Sequence, residues 1–144
     1  KDAPVIAERA IYCSEMVHGP KGKKTAGCHR LYGAILSKMK RHDEAASQYS
    51  AAAEIAKEND GPENIWVGKD LRSAAVCCTR IPDYKKSLDL FFQAATVFKQ
   101  HPDKPRELEE TYGNISECYH QLKDKENEEK YRLLAAAIRT TGEI

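Results

Sequence analysis

The sequence predicts an all-α protein, an α-solenoid in which about seven amphipathic helices stack as antiparallel pairs. Breaks that contain Pro or Gly divide the 144 residues into long segments with helical periodicity. No segment shows the alternation of β-branched and polar residues that marks a half-buried strand. Two pairs of segments also repeat one spacing of small and aromatic residues, which is typical of helical repeat arrays.

The helix boundaries follow from these breaks. Clear breaks lie at residues 19–22, 59–62, 81–83 and 101–105, because Pro lacks an amide donor and Gly accepts the left-handed conformation that ends a helix. Softer breaks lie at 40–43, where we expect Asp43 to cap the next helix, and at 123–125. The predicted helices are 3–18, 24–40, 43–59, 63–80, 83–100, 104–122 and 125–140.

These helices predict a single domain, residues 1–144. A lone or capping helix in residues 1–20 precedes three helix pairs at 24–59, 63–100 and 104–140. We expect the chain to be a fragment of a longer protein, because it begins at Lys1 with a helix almost at the terminus.

Composition favours a soluble helical protein. Hydrophobic residues make up 41% and charged residues 31%, and no apolar run approaches the ~20 residues of a membrane span. The first helix is interrupted by Glu8, Arg9 and Glu15, so it does not resemble a signal peptide.

The odd number of cysteines predicts reduced, buried thiols in an intracellular protein, in the cytoplasm or the nucleus. The five are Cys13, Cys28, Cys77, Cys78 and Cys118.

The repeated spacing joins small residues on both helices of a pair to an aromatic residue and a further Ala. The first pair has Gly33, Ala45, Tyr49 and Ala52, and the second has Ala75, Ser87, Phe91 and Ala94, each 42 positions later. Small residues allow two helices to approach closely where they cross, and the aromatic ring fills the groove beside that contact. An ordinary bundle core is the alternative interpretation. The third pair fits less well, because Glu128 stands where a small residue is expected.

This pattern resembles the tetratricopeptide repeat. Tyr32-Gly33 and Leu36 occupy family positions in the first pair, and residues 83–87, Asp-Tyr-Lys-Lys-Ser, resemble the family's turn between helices. The ~42-residue period exceeds the standard period of about 34 and is similar to the long repeats of SNAP proteins, LGN/Pins adaptors and kinesin light chains. The resemblance implies a protein-binding scaffold or adaptor and no enzymatic activity.

The resemblance also implies a concave groove lined by the first helix of each pair. The candidate groove residues are Arg30, Ser37, Lys69, Arg72, Thr79, Glu110 and Glu117. Three of them, Arg30, Lys69 and Arg72, would form a cationic patch for a carboxylate or an acidic peptide of a partner protein. We expect reversal of both arginines to Glu to abolish partner capture without loss of helicity. The family's carboxylate clamp is absent, since Ala34 stands at its first Asn position.

Other functions have weaker support. No phosphate-binding loop, nucleophile elbow or zinc-ligand spacing occurs, so we expect no catalytic residue, no metal site and no cofactor. RNA binding remains an alternative, because the window between Met16 and Asp43 holds seven Lys or Arg residues and no Asp or Glu. A structural or self-association role is a second alternative, in which helix 3–18 packs through Val5, Ala7 or Ile11, Tyr12 and Met16 as part of a larger solenoid.

Overall fold

The computed structural model describes residues 2–141 and forms seven α-helices, without a strand, in that range. The helices are α1 (Ala3–His18), α2 (Lys23–Lys38), α3 (His42–Asp60), α4 (Ile65–Arg80), α5 (Tyr84–Phe98), α6 (Pro105–Gln121) and α7 (Lys125–Thr141). Every boundary lies within two residues of its predicted position. The all-α prediction is confirmed.

Each helix packs against the next along the chain, so α2/α3, α4/α5 and α6/α7 form three successive pairs, with α1 against α2. The turns within the three pairs are closed by one repeated backbone hydrogen bond. Arg41 donates to the Leu36 carbonyl (2.9 Å), Asp83 to that of Cys78 (2.8 Å) and Asp124 to that of Tyr119 (3.0 Å). The third pair therefore has the same connection as the first two, although its sequence matches the repeat less well.

Helix starts differ in their capping. Asn64 accepts a hydrogen bond from the Trp66 amide (2.9 Å), and Asp83 accepts one from the Lys86 amide (3.2 Å), so both side chains cap their helices. The expectation that Asp43 caps α3 is wrong. The helix begins one residue earlier, at His42, which places Asp43 inside the first turn.

The repeat positions lie where paired helices cross. A Cβ atom on Gly33 would stand only 3.0 Å from the Tyr49 ring, so Gly is what allows this aromatic side chain to pack across α2. In the second pair, the Ser87 hydroxyl donates to the Ala75 carbonyl at 3.1 Å. Tyr49 is half-buried, and the other repeat positions of the two pairs are buried.

The third pair uses a different residue to reach the same geometry. Here the hydroxyl lies on the first helix, and Ser116 Oγ donates to the Glu128 carbonyl at 2.9 Å. The Glu128 carboxylate turns outward and lies 3.0 Å from His120 Nδ1. Glu128 is therefore tolerated because only its backbone occupies the crossing.

The first helix packs with one face and exposes the other. Ala7 and Ile11 are buried, and the Tyr32 hydroxyl donates to Glu8 Oε1 at 2.6 Å. The apolar stripe inferred from the sequence is therefore divided between two faces. The exposed apolar side chains are Val5, Ile6, Tyr12, Met16 and Val17.

The cysteines are all free, and their burial differs. Cys77, Cys78 and Cys118 are buried, Cys28 is half-buried and Cys13 is exposed. The expectation of uniformly buried thiols is thus wrong for Cys13, which lies on the outer face of α1.

No helix within residues 2–141 is both long and apolar enough to cross a membrane.

Candidate peptide-binding groove

Arg30 is held by an internal ion pair between α2 and α4. Its Nε donates to Asp70 Oδ1 at 2.7 Å, and the Asp70 side chain is only 3% exposed. Burial raises the pKa of Asp70, while the neighbouring Arg30 guanidinium opposes that shift. Asp70 Oδ2 is buried and has no hydrogen-bond partner among residues 2–141, so Oδ1 is the oxygen through which a side chain, Arg30, binds this carboxylate.

Lys69 and Arg72 make the corresponding contacts between α4 and α6. Arg72 Nη1 lies 3.1 Å from Glu107 Oε1 and 3.7 Å from Glu110 Oε2. Lys69 Nζ lies 3.8 Å from Glu107 Oε2. The three predicted cations are therefore close together, but each is already paired with a carboxylate of this chain.

Trp66 lies between the Arg30–Asp70 ion pair and the contacts of Lys69 with Glu107. The Arg30 guanidinium lies 4.5 Å from its ring centroid, and Lys69 Nζ lies 4.7 Å from it. The indole is nevertheless 47% exposed and faces a cavity of about 320 Å³. The cavity is lined by Trp66 with Lys23, Ala26, Arg30, Ala56, Asn59, Asp60 and Asn64.

The remaining predicted residues lie nearer the C-terminal ends of the same helices. Thr79 and Glu117 line a second cavity, of about 310 Å³, with buried Phe91 and Cys118 in its wall. Ser37 lines a smaller cavity of about 190 Å³ with Arg72. The predicted groove residues thus border three cavities, one beside Trp66 and Arg30, one beside Thr79 and Glu117, and one between Ser37 and Arg72.

Sequence reasoning missed Trp66, Asp70 and Glu107. Trp66 and Glu107 each lie three residues before a projected groove position, Lys69 and Glu110 respectively. Extending the projection by one helical turn would have found both. Asp70 carried no such signal, because a lone acidic residue in a helix is usually exposed to solvent.

The basic window that suggested RNA binding is partly neutralised in the structure. Lys21 lies 3.0 Å from Glu58, and Lys23 lies 3.0 Å from Asp60. These acidic residues come from the end of α3, which lies outside the window.

Over residues 2–141, no group of three or more His, Cys, Asp or Glu side chains is arranged to hold a metal ion.

Comparison with known proteins agrees with this architecture. The family model for the tetratricopeptide repeat matches residues 25–100, more than half of the chain. The crystal structure of BtubC (BKLC) from P. vanneervenii is similar, with a TM-score of 0.87 at 20% identity over 96% of this chain and 56% of that chain. The chain thus spans little more than half the length of that protein. No curated protein sequence matches it.

Repeats of this family generally mediate protein–protein interactions. The family model covers both well-matched pairs, α2/α3 and α4/α5. The chain belongs to the tetratricopeptide repeat family.

Proposed function

We propose that this chain is a scaffold or adaptor whose groove, lined by α2, α4 and α6, binds a peptide or helix of a partner protein. The observation that carries the proposal is the position of Trp66. A half-exposed indole stands beside a cavity, and Arg30 and Lys69 contact it. Trp and Arg supply a large share of the binding energy at protein interfaces, especially where they are held rigidly in a partly desolvated site.

The charges around Trp66 favour a partner segment that carries carboxylates. The Lys69 side chain is 36% exposed and makes only a long contact, 3.8 Å, with Glu107. Glu110 is 55% exposed, so a carboxylate of the ligand can replace it beside Arg72 at little cost. An acidic peptide would thus replace the carboxylate of Glu110 beside Arg72 with one of its own and cover the indole.

Trp66→Ala tests this proposal. Peptides selected from a random library displayed on phage would be titrated against the wild-type chain and the variant. We expect affinity to fall by about thirtyfold, the loss of a typical aromatic hot spot of roughly 2 kcal/mol. The matched control is Leu133→Ala, which removes an exposed apolar side chain on α7. Equal affinity of both variants for every selected peptide would reject the groove.

Glu110→Gln tests the sign of the ligand's charge. Removing this carboxylate leaves Arg72 with one acidic partner fewer, so an acidic peptide should bind more tightly. Weaker binding would instead indicate that the ligand donates a hydrogen bond to the Glu110 carboxylate. Reversal of Arg30 is a poor probe, because it would place a second carboxylate beside buried Asp70 and so destabilise the fold as well as disturb binding.

The outer face of α1 supports self-association as a second candidate function. Its exposed apolar residues, among them Tyr12 (63%) and Met16 (71%), have no covering helix within residues 2–141. Sedimentation analysis of the wild type and of the double variant Tyr12→Glu/Met16→Glu tests this role. Self-association predicts a concentration-dependent dimer that the substitutions abolish, and a wild type that stays monomeric would exclude it.

A further inference from the structure

A cleft lies between α5 and α7, which are the second helices of their pairs and therefore lie on the face opposite the groove. Both helices pack on α6, and the cleft between them encloses a cavity of about 360 Å³. Its lining residues come from all three helices: Phe92, Ala95, Thr96, Lys99, Tyr112, Lys130, Tyr131 and Leu134.

The inner part of this cleft is apolar. The rings of Phe92 and Tyr131 close one end with their centroids 5.7 Å apart. Ala95 and Tyr112 form a floor that is almost completely buried, and Leu134 is 38% exposed at the side. The space and its chemistry suit one apolar side chain that would cover these surfaces.

The rim of the cleft is cationic. Lys99 is the C-cap residue that follows α5. Lys130 lies in the first half of α7, where its Nζ is 5.4 Å from the Tyr131 ring centroid. Within residues 2–141, neither lysine has a carboxylate within 4.0 Å. In this respect they differ from Lys69, Arg30 and Arg72 in the groove.

The preceding cleft of the same repeat array is an internal comparison. It lies between α3 and α5, encloses about 220 Å³ and contains Lys57, whose Nζ lies 3.4 Å from Glu54. Repeat geometry therefore produces a cleft at both places. The α5–α7 cleft is the larger, and within the described residues 2–141 its lysines lack an acidic partner such as the one that Lys57 has.

We propose that the α5–α7 cleft is a second docking surface and that its occupant is an acidic segment of a partner protein. This segment inserts one apolar side chain between Phe92 and Leu134 while its carboxylates meet Lys99 and Lys130. Charge complementarity and the apolar floor together select such a segment over a purely apolar one. The scaffold then holds two partner segments on opposite faces, and the second surface does not depend on Trp66.

The test uses the full chain and a random peptide library displayed on phage. Peptides selected on the wild type would be titrated against Lys99→Glu/Lys130→Glu and against the control Lys85→Glu/Lys86→Glu, which makes the same charge change at the start of α5. We expect a class of peptides, with one apolar residue between Asp or Glu, that loses at least about tenfold in affinity for the first variant only. This class should bind Trp66→Ala as tightly as the wild type.

Several outcomes would overturn the inference. The first is that no selected peptide depends on Lys99 and Lys130 for its affinity. The second is that the control variant loses as much affinity as Lys99→Glu/Lys130→Glu. The third is that the same peptides bind Trp66→Ala more weakly than the wild type. A labelled single-stranded RNA should not bind at ~150 mM salt, and RNA binding that depends on both lysines would assign the cleft to nucleic acid instead. The groove proposal is tested separately, because its peptides depend on Trp66 and tolerate both lysine variants.

Discussion

Asp70 shows how the groove is built at the scale of single residues. Its carboxylate is buried; one oxygen is paired with Arg30, and the other has no hydrogen-bond partner in the part of the chain that the structure describes. An ion pair in this setting fixes the position of a side chain without necessarily stabilising the fold, because desolvation offsets the attraction. Arg30 is thereby held against the half-exposed Trp66 ring.

The raised pKa of Asp70 leads to a pH-dependent prediction. A carboxyl group whose pKa is higher in the folded than in the unfolded chain stabilises the fold when protonated. This contribution is lost as pH rises from the ordinary value of 3.8 through the raised folded value. The free energy of unfolding of the wild type should therefore fall relative to Asp70→Asn over that window.

Urea unfolding at a series of pH values, followed by circular dichroism, measures this difference. Asp103→Asn, at an exposed position, is the control for the loss of one acidic side chain. A difference that rises with pH would mean that Arg30 stabilises the ionised carboxylate more than burial disfavours it.

Thiol reactivity gives a second prediction at this scale. The thiolate is the reactive form, and burial raises the pKa of Cys118 to about 11 and also raises those of Cys77 and Cys78. At neutral pH, iodoacetamide should therefore label exposed Cys13 first and the three buried thiols only after unfolding. Peptide mapping by mass spectrometry would detect the order. Rapid labelling of Cys118 in the folded chain would contradict the packing of α6.

At the scale of helices, the close crossing of α2 and α3 depends on Gly33. Gly33→Ala adds helix propensity of about 1 kcal/mol but forces the Tyr49 ring to move, which costs about 1–3 kcal/mol. Gly27→Ala, in the same helix, meets nothing within 4 Å and should stabilise by about 0.5–1 kcal/mol. Denaturant unfolding of both variants checks the expected order. A Gly33→Ala chain as stable as Gly27→Ala would show that the crossing is loosely packed.

Sequence reasoning predicted the helices well because Pro, Gly and the apolar period act locally. It also placed Arg30, Lys69, Arg72 and Glu110 on the helices that line the groove. It could not predict that these side chains pair with one another across α2, α4 and α6, because such contacts join residues about 35–40 apart. That Glu128 fits at the crossing of α6 and α7 could not be predicted for a similar reason. The hydroxyl that donates across this crossing belongs to Ser116 on α6, whereas in the second pair it belongs to Ser87 on the second helix.

At the scale of the whole molecule, the three pairs present two unlike surfaces. The groove carries paired charges around a half-exposed indole. The opposite face carries an apolar cleft beside Lys99 and Lys130, which form no ion pair within residues 2–141. A repeat array suits such an arrangement, because each pair contributes one helix to either face. If both proposed surfaces bind, the chain would be a scaffold that holds partner segments on both faces.

The fluorescence of Trp66 is the most direct test of the central claim, because it is the only tryptophan in the chain. A peptide that occupies the groove should cover the indole and shift its emission to shorter wavelength, with a midpoint equal to the dissociation constant measured by calorimetry. A peptide that occupies the α5–α7 cleft should leave the emission unchanged. Tight binding of every selected peptide without any change in Trp66 emission would contradict the groove as a binding site.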